Sequence, residues 1–133
     1  MNMQALQSRI EGKVTTATDP GYEDLRRSLI WNQLTPGRYP QAVVQVANEQ
    51  DVIEAVRFAR AQNLKIAVRG GGHSWIGFSL CDGSLLIDLG RLNQVSIDPQ
   101  SRTAVIHPAV TGQALNQQLA PHGLAFPVGH CQT

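Results

Sequence analysis

One stretch constrains this chain more than any other: a short apolar strand, Lys65-Ile66-Ala67-Val68, runs straight into Arg69-Gly70-Gly71-Gly72-His73-Ser74. Ordering three successive glycines costs more entropy than a hairpin requires, because one or two suffice for a turn. Such a run predicts a backbone that something must approach closely. With no Cβ in the way, successive N–H groups can face an anion, and a phosphate fits that arrangement. A flexible glycine turn between strands is the plainer alternative. Neither nucleotide fingerprint fits, since no Gly-Lys-Ser/Thr follows for a P-loop and no helix follows for a Rossmann turn. Arg69 sets bidentate donors and a fixed positive charge beside the glycine amides, which favours a diphosphate over a neutral ligand. From Gly70 to His73 the extended chain spans about 10 Å, comparable to the distance from a dinucleotide's pyrophosphate to its reactive ring. One loop can reach both ends. Taken alone, His73 is more often a hydrogen-bonded structural histidine than a catalytic or covalent one.

The segments around the loop predict a mixed α+β fold. Gln4 to Ile10 and Tyr22 to Trp31 read as short helices, separated by Gly12 and by the turn residues Thr18 to Gly21, with Glu23, Arg26 and Arg27 facing solvent. Ala42 to Val46 is a short β-branched run bounded by breakers, which suits a buried strand. Asn48 caps the next helix, whose Val52, Ile53, Val56 and Ala59 form one buried face ending near Asn63. With Lys65 to Val68 this makes a β-α-β unit, which implies two parallel neighbouring strands. Leu85 to Leu89, Val95 to Ile97 and Thr103 to His107 follow without helical periodicity and read as antiparallel β. Thr111 then precedes a helix through Leu119, which Pro121-His122-Gly123 stops before an extended piece, Leu124 to Val128. No repeat, low-complexity tract or linker marks a second domain.

Composition narrows the function classes. Eleven Lys plus Arg against ten Asp plus Glu give a net charge of +1, so no global field attracts nucleic acid or an anionic membrane. With 42% hydrophobic residues among 133, the chain can bury a core. Its charged fraction of 16% is below the roughly 25% usual for soluble domains, which points to apolar surface covered by a partner, a further segment or a ligand. No signal-peptide run or membrane-length apolar run is present, so a soluble cytoplasmic protein is expected, with Cys81 and Cys131 as thiols. The histidines at 73, 107, 122 and 130 lack the helical i, i+4 spacing of a zinc pair, and there is no Cys-x-x-Cys, so no metal is expected. The chain breaks off in Gly129-His130-Cys131-Gln132-Thr133, unlike an ordinary polar terminus, and is expected to be the N-terminal part of something longer.

Arg69 to Ser74, followed by Gly77, Asp88-Leu89 and the later Gly129-His130-Cys131, resembles the N-terminal FAD-binding lobe of the berberine bridge enzyme-like flavoprotein oxidases. These belong to the vanillyl-alcohol oxidase and PCMH-type FAD-binding superfamily. The resemblance covers Trp31 to Thr133, including Arg38-Tyr39-Pro40, the helix at Asp51-Val52 and Ala125-Phe126-Pro127. It implies a PCMH-type lobe: a small parallel β-α-β part, then a mainly antiparallel sheet with flanking helices. Residues 1–34 would be N-terminal helices and 38–133 the FAD-binding core, the rest of the FAD domain and the substrate domain lying outside the chain.

The resemblance also implies roles. Arg69, Gly70, Gly71, Gly72, Ser74 and Gly77 would hold the FAD pyrophosphate, and His73 matches the histidine bonded to the flavin 8α-methyl carbon. Cys131 matches a cysteine joined to flavin C6 in bicovalent members, with Gly129 and His130 beside it. An inert thiol is the plainer reading of Cys131, and Cys81 is expected only to pack. Trp75 and Phe78 line the flavin or simply pack, His107 and His122 are structural or solvent-facing, and Arg60 is a solvated helix charge. The implied activity is hydride transfer from a small alcohol, sugar or amine to covalent FAD, then electrons to O2, in a longer protein. None of these residues is assigned as the catalytic base, and no feature specifies an oligomeric state. Two rivals stay open, a dehydrogenase or reductase with noncovalent FAD and a non-catalytic lobe.

Overall fold

The computed structural model describes residues 2–129. Contacts divide the chain into two compact units, one up to Arg91 and one from Leu92 on. No turn-rich linker in the sequence announces that boundary.

In the first unit, α1 (Met3–Gln7) is followed by β1 (Lys13–Thr16), α2 (Tyr22–Ser28), β2 (Ala42–Gln45), α3 (Glu49–Ala61), β3 (Ile66–Arg69) and β4 (Leu85–Asp88). The strands form one sheet in the order β1-β2-β4-β3, with β2, β4 and β3 mutually parallel and β1 antiparallel at the edge. This partly parallel sheet bears out the mixed fold but corrects two expectations. β2 and β3 are parallel without being neighbours, because β4 lies between them. Leu85 to Leu89, expected in an antiparallel set, supplies that central parallel strand. The reason is visible in its side chains: all four residues of β4 are buried, and a strand covered on both faces reads as an unbroken apolar run rather than an alternating one. Strand β1 lies within the stretch expected to hold helices only. Gly12 opens it, and a Cβ there would fall 2.1 Å from the Gln45 carbonyl oxygen.

The register aligns Val43, Leu86 and Ala67 across three strands, and these pack on one face with Tyr22, Leu29, Ile30 and Leu80. Helix α3 lies against β4. Asn48 caps it as expected, accepting from Asp51 N, but its buried face carries Asp51, Ala55, Phe58 and Ala59, leaving Ile53 and Val56 exposed. The rotation follows from Asp51, whose carboxylate turns inward to accept from the backbone N–H groups of Glu11, Gly12 and Ala47 at 2.8–2.9 Å. The expected helix at Tyr22 to Trp31 ends at Ser28, and that at Gln4 to Ile10 runs over Met3–Gln7.

In the second unit, β5 (Val95–Asp98) and β6 (Thr103–Ile106) form an antiparallel pair, followed by α4 (Gly112–Leu119) and a 3-10 turn, Ala120–His122. Thr111 caps α4, accepting from Ala114 N. Leu124 to Val128 runs without regular structure, held by Asn116, which donates to Phe126 O at 3.0 Å and accepts from Phe126 N at 2.7 Å. Among the described residues no helix is long and apolar enough to cross a membrane.

Candidate functional site

The glycine loop leaves the carboxyl end of β3, beside the carboxyl end of β4. In open α/β sheets the crevice outside the carboxyl ends of parallel strands is where ligands bind. Arg69, the last residue of β3, donates from Nη1 to Asp88 Oδ1 at 3.0 Å, from Nε to Leu29 O at 3.2 Å and from Nη2 to Gly71 O at 3.5 Å. Its guanidinium is thus spent on an inward carboxylate and on shaping the loop. Arg69, expected beside an anion, is thus already paired with Asp88, which is only 7% exposed and balances its charge. Gly90 makes room for this pair, since a Cβ there would lie 2.7 Å from Arg69 Nη1 and 3.1 Å from Asp88 Oδ1.

The loop's hydrogen bonds are one-sided. Arg69 O accepts from Leu89 N at 2.8 Å, Gly72 O from Trp31 N at 3.4 Å, and Ser74 O from Gly77 N at 3.3 Å. Gly71 O faces Arg69, and Trp75 O accepts from Asn32 Nδ2 at 3.1 Å. By contrast, the N–H groups from Gly70 to Ile76 find no acceptor among the described residues. A trans peptide directs its C=O and N–H to opposite sides, and no cis bond occurs among the described residues. Each tied carbonyl therefore turns the next residue's N–H away from its partner. This fixes the amides of Gly70, Gly72, His73, Trp75 and Ile76 as outward donors, the arrangement that backbone anion sites use.

Steric demands separate the glycines. Gly72 has φ +72°, and a Cβ there would fall 2.4 Å from Leu29 O and 2.9 Å from the Arg69 guanidinium, so the fold itself requires glycine. Gly77, at φ +62°, would press a Cβ against Ile30 and Pro36 at 3.1 Å. Gly71 is different. It is exposed, lacks a positive φ, and its Cβ would meet only His73 Cδ2 at 3.7 Å. Nothing in the fold forbids a side chain at 71.

His73 is exposed, with its ring stacked on Trp31 at 5.8 Å and 14° between planes. Trp31 in turn meets Trp75 edge-on at 5.0 Å. Trp75 and Phe78 are 71% and 70% exposed, so neither packs into the core. Ser74 Oγ accepts from Phe78 N at 3.0 Å and shapes the turn after the glycines. Cys81 packs half-buried against the core, as expected, with its thiol 3.3 Å from Phe78 O. Gly129 is exposed; His130 and Cys131 lie outside the described residues. His122 is exposed and His107 half-buried. Among the described residues no cluster of His, Cys, Asp or Glu is placed to hold a metal.

Sequence reasoning missed the segment that straps the loop. Arg26, expected in solvent, is 4% exposed: it forks onto Glu23 at 2.7 and 2.8 Å, donates to Pro36 O and Arg38 O, and lies 4.4 Å over the Tyr39 ring. Hydrogen bonds from Arg26 and Arg27 hold the Glu23 carboxyl down at about 2. Arg38, so placed, reaches Ile76 O and Gly77 O with Nη2. No local periodicity signals such contacts, because the partners lie beyond the helix, 10 and 12 residues away for Arg26 and 38 and 39 for Arg38. The second unit carries a separate apolar groove of about 440 Å³, lined by Ile106, Leu115, Leu119, Leu124 and Phe126 with Arg102 at its margin.

This geometry has counterparts. An FAD-linked oxidoreductase of Penicillium crustosum, penO, is 40% identical over 112 residues, spanning 84% of this chain and 25% of the fungal protein. The (R)-6-hydroxynicotine oxidase of Paenarthrobacter nicotinovorans is 32% identical over 123 residues, 90% of this chain and 26% of the oxidase. Among solved structures, BBE-like 1 of Physcomitrella patens superposes with a TM-score of 0.84 at 27% identity, covering 98% of this chain and 28% of that one. The chain thus spans about a quarter of the length of the relatives it matches. Its fold is the PCMH-type FAD-binding fold, seen here as a partly parallel sheet and an antiparallel pair. Residues 40–133 match the model of the FAD binding domain, so the outward amides sit in a chain that belongs to that family of flavin-binding domains.

Proposed function

We propose that the loop from Arg69 to Gly77 binds the diphosphate of FAD through the amides of Gly70, Gly71, Gly72, His73 and Ser74, with Arg69 and Gly77 shaping it. The longer protein is a flavin-dependent oxidase that takes hydride from a small alcohol, sugar or amine and passes the electrons to O2. The one-sided hydrogen bonding of the loop carries this reading. Main-chain dipoles held outward by tied carbonyls favour an anion without reorganising when it arrives. The side chain that Gly71 lacks is the one a close-lying ligand would meet. FAD supplies the hydride and oxygen chemistry when bound; the chain binds, orients and shields it.

His73 is proposed to attach the flavin covalently, through an imidazole nitrogen to the 8α carbon. One hydrogen leaves that methyl group and one leaves the imidazole; the two electrons reduce the flavin, and dioxygen reoxidises it. The exposed ring, stacked against Trp31 within the donor row, supports this role. Cys131 is proposed as a second attachment, with Gly129 and His130 flanking it.

The test uses the intact protein. Flavin that stays fluorescent on acid-denatured polypeptide, and is lost only when His73 and Cys131 are both replaced, is the expected result. Flavin that washes away entirely would leave a noncovalent site and end the attachment proposal. Gly71→Ala should weaken FAD binding about tenfold or more without loss of stability, as follows when a methyl group blocks a close backbone contact. FAD binding unchanged by that methyl group would mean the ligand lies elsewhere.

A further inference from the structure

The outward donors do not stop at the triglycine. Trp75 and Ile76 also present free N–H groups, and both are set by side chains of the segment that precedes β2. Asn32 Nδ2 takes the Trp75 carbonyl at 3.1 Å, which turns the Ile76 N–H outward. Asn32 is itself fixed, because its Oδ1 accepts from Leu34 N at 3.1 Å. Arg38 Nη2 takes the carbonyls of Ile76 and Gly77, the latter at 2.9 Å. The peptide so pinned donates its Gly77 N–H to Ser74 O at 3.3 Å, and that bond turns the Trp75 N–H outward.

Arg38 differs from Arg69 in charge balance. Arg69 is paired with Asp88, whereas among the described residues no carboxylate lies within ion-pair distance of Arg38. Its Nε and Nη1 donors take no acceptor among those residues either. The guanidinium bound to the loop that keeps its net charge is therefore Arg38.

We propose that Asn32 and Arg38 are positioning residues that extend the diphosphate-binding face to the amides of Trp75 and Ile76, and that Arg38 supplies the attractive charge there. The inference rests on the reading of the loop as a diphosphate site. A charge of one unit held by a carbonyl fork acts on affinity in two ways, through the set of the amides and through a field that salt screens.

The experiment measures binding of FAD and of riboflavin, which lacks the diphosphate, to the intact protein carrying both His73→Ala and Cys131→Ala so that flavin exchanges freely. Arg38→Met is expected to raise the FAD dissociation constant about 10- to 100-fold, as loss of hydrogen bonds from a charged donor predicts, and to leave riboflavin binding unchanged. Asn32→Leu is expected to raise it about 5- to 10-fold. Arg38→Lys, which keeps the charge and one donor, should recover part of the affinity and the salt dependence that Arg38→Met flattens. A purely structural arginine would not alter the salt slope. Equal FAD affinity and salt slope in Arg38→Lys, Arg38→Met and the parent would overturn the inference. If Arg38→Met does not fold, the Lys and Leu variants decide it by the same readouts. If the parent binds FAD no better than riboflavin, the diphosphate reading itself fails.

Discussion

Adjacent glycines in the loop should respond oppositely to one methyl group. At Gly72 an alanine must adopt φ near +72°, which costs about 1–2 kcal/mol for an L residue. Its Cβ also lands 2.4 Å from Leu29 O, a backbone atom that cannot rotate aside. Relieving the clash separates Leu29 from the loop and breaks two bonds, Trp31 N to Gly72 O at 3.4 Å and Arg69 Nε to Leu29 O at 3.2 Å. A backbone bond contributes about 1 kcal/mol and one from a charged donor about 1.5–3 kcal/mol. Allowing for partial relaxation, Gly72→Ala should destabilise by about 3–5 kcal/mol. At Gly71 the nearest atom is 3.7 Å away and φ is ordinary, so alanine should be neutral or stabilise by about 0.4–1 kcal/mol through the unfolded chain. Urea unfolding of the flavin-free protein reads the contrast: a midpoint that drops sharply for Gly72→Ala and holds or rises for Gly71→Ala. Equal midpoints in the two variants would refute the division of the loop into a glycine the fold needs and a glycine the ligand needs.

Two further effects follow from the ion pairs. Removing one member of a well-buried pair costs about 3–5 kcal/mol; Arg69 keeps 18% exposure, so Arg69→Met should cost about 2–3 kcal/mol. Asp88→Asn with Arg69→Met should cost less than the sum of the two, because Asp88 no longer needs its partner, and strict additivity in chemical unfolding would show that the pair is uncoupled. The Glu23 carboxyl, held at about 2 by hydrogen bonds from Arg26 and Arg27, lies below its ordinary 4.5. A folded value below the unfolded one gives stability that is complete above about pH 4.5 and is lost as the pH falls toward 2. Glu23→Gln should flatten the acid limb in that window, and an unchanged limb would place the acid sensitivity in other carboxylates.

What could be read from the sequence is what short-range rules encode. The cap at Asn48, the helix that follows Thr111, the strands at Ala42 and Ile66 and the glycine loop rest on neighbouring residues, and each stands where expected. The misses share one cause, a partner distant in the chain. Strand β4 lies between β2 and β3 because Leu85, Leu86 and Ile87 need cover on both faces, a demand that no turn signal displays. Arg26 looks like any helix-surface arginine until the segment after α2 folds back and puts Pro36 and Arg38 carbonyls on its guanidinium. Arg69 was legible as a cation beside glycines, while its neutralisation by Asp88, nineteen residues on, was not.

For a loop that binds a diphosphate as proposed, that neutralisation changes how the anion must be recognised. With Arg69 and Asp88 cancelling, attraction would come from peptide dipoles held by tied carbonyls, supplemented by the loop-bound guanidinium of Arg38, which has no ion-pair partner among the described residues. Dipoles act over a short range and reward orientation, so such a site selects a ligand whose phosphates can settle along the strand-to-loop backbone and responds little to charge at a distance. A site built on several free arginines would bind many polyanions and lose them steeply with salt. Here the Arg69–Asp88 pair and the carbonyl straps belong to the fold itself, and together they set the row of N–H groups. The exposed glycine at 71 is the part of that row for which the fold shows no steric reason, and the proposed diphosphate would supply one.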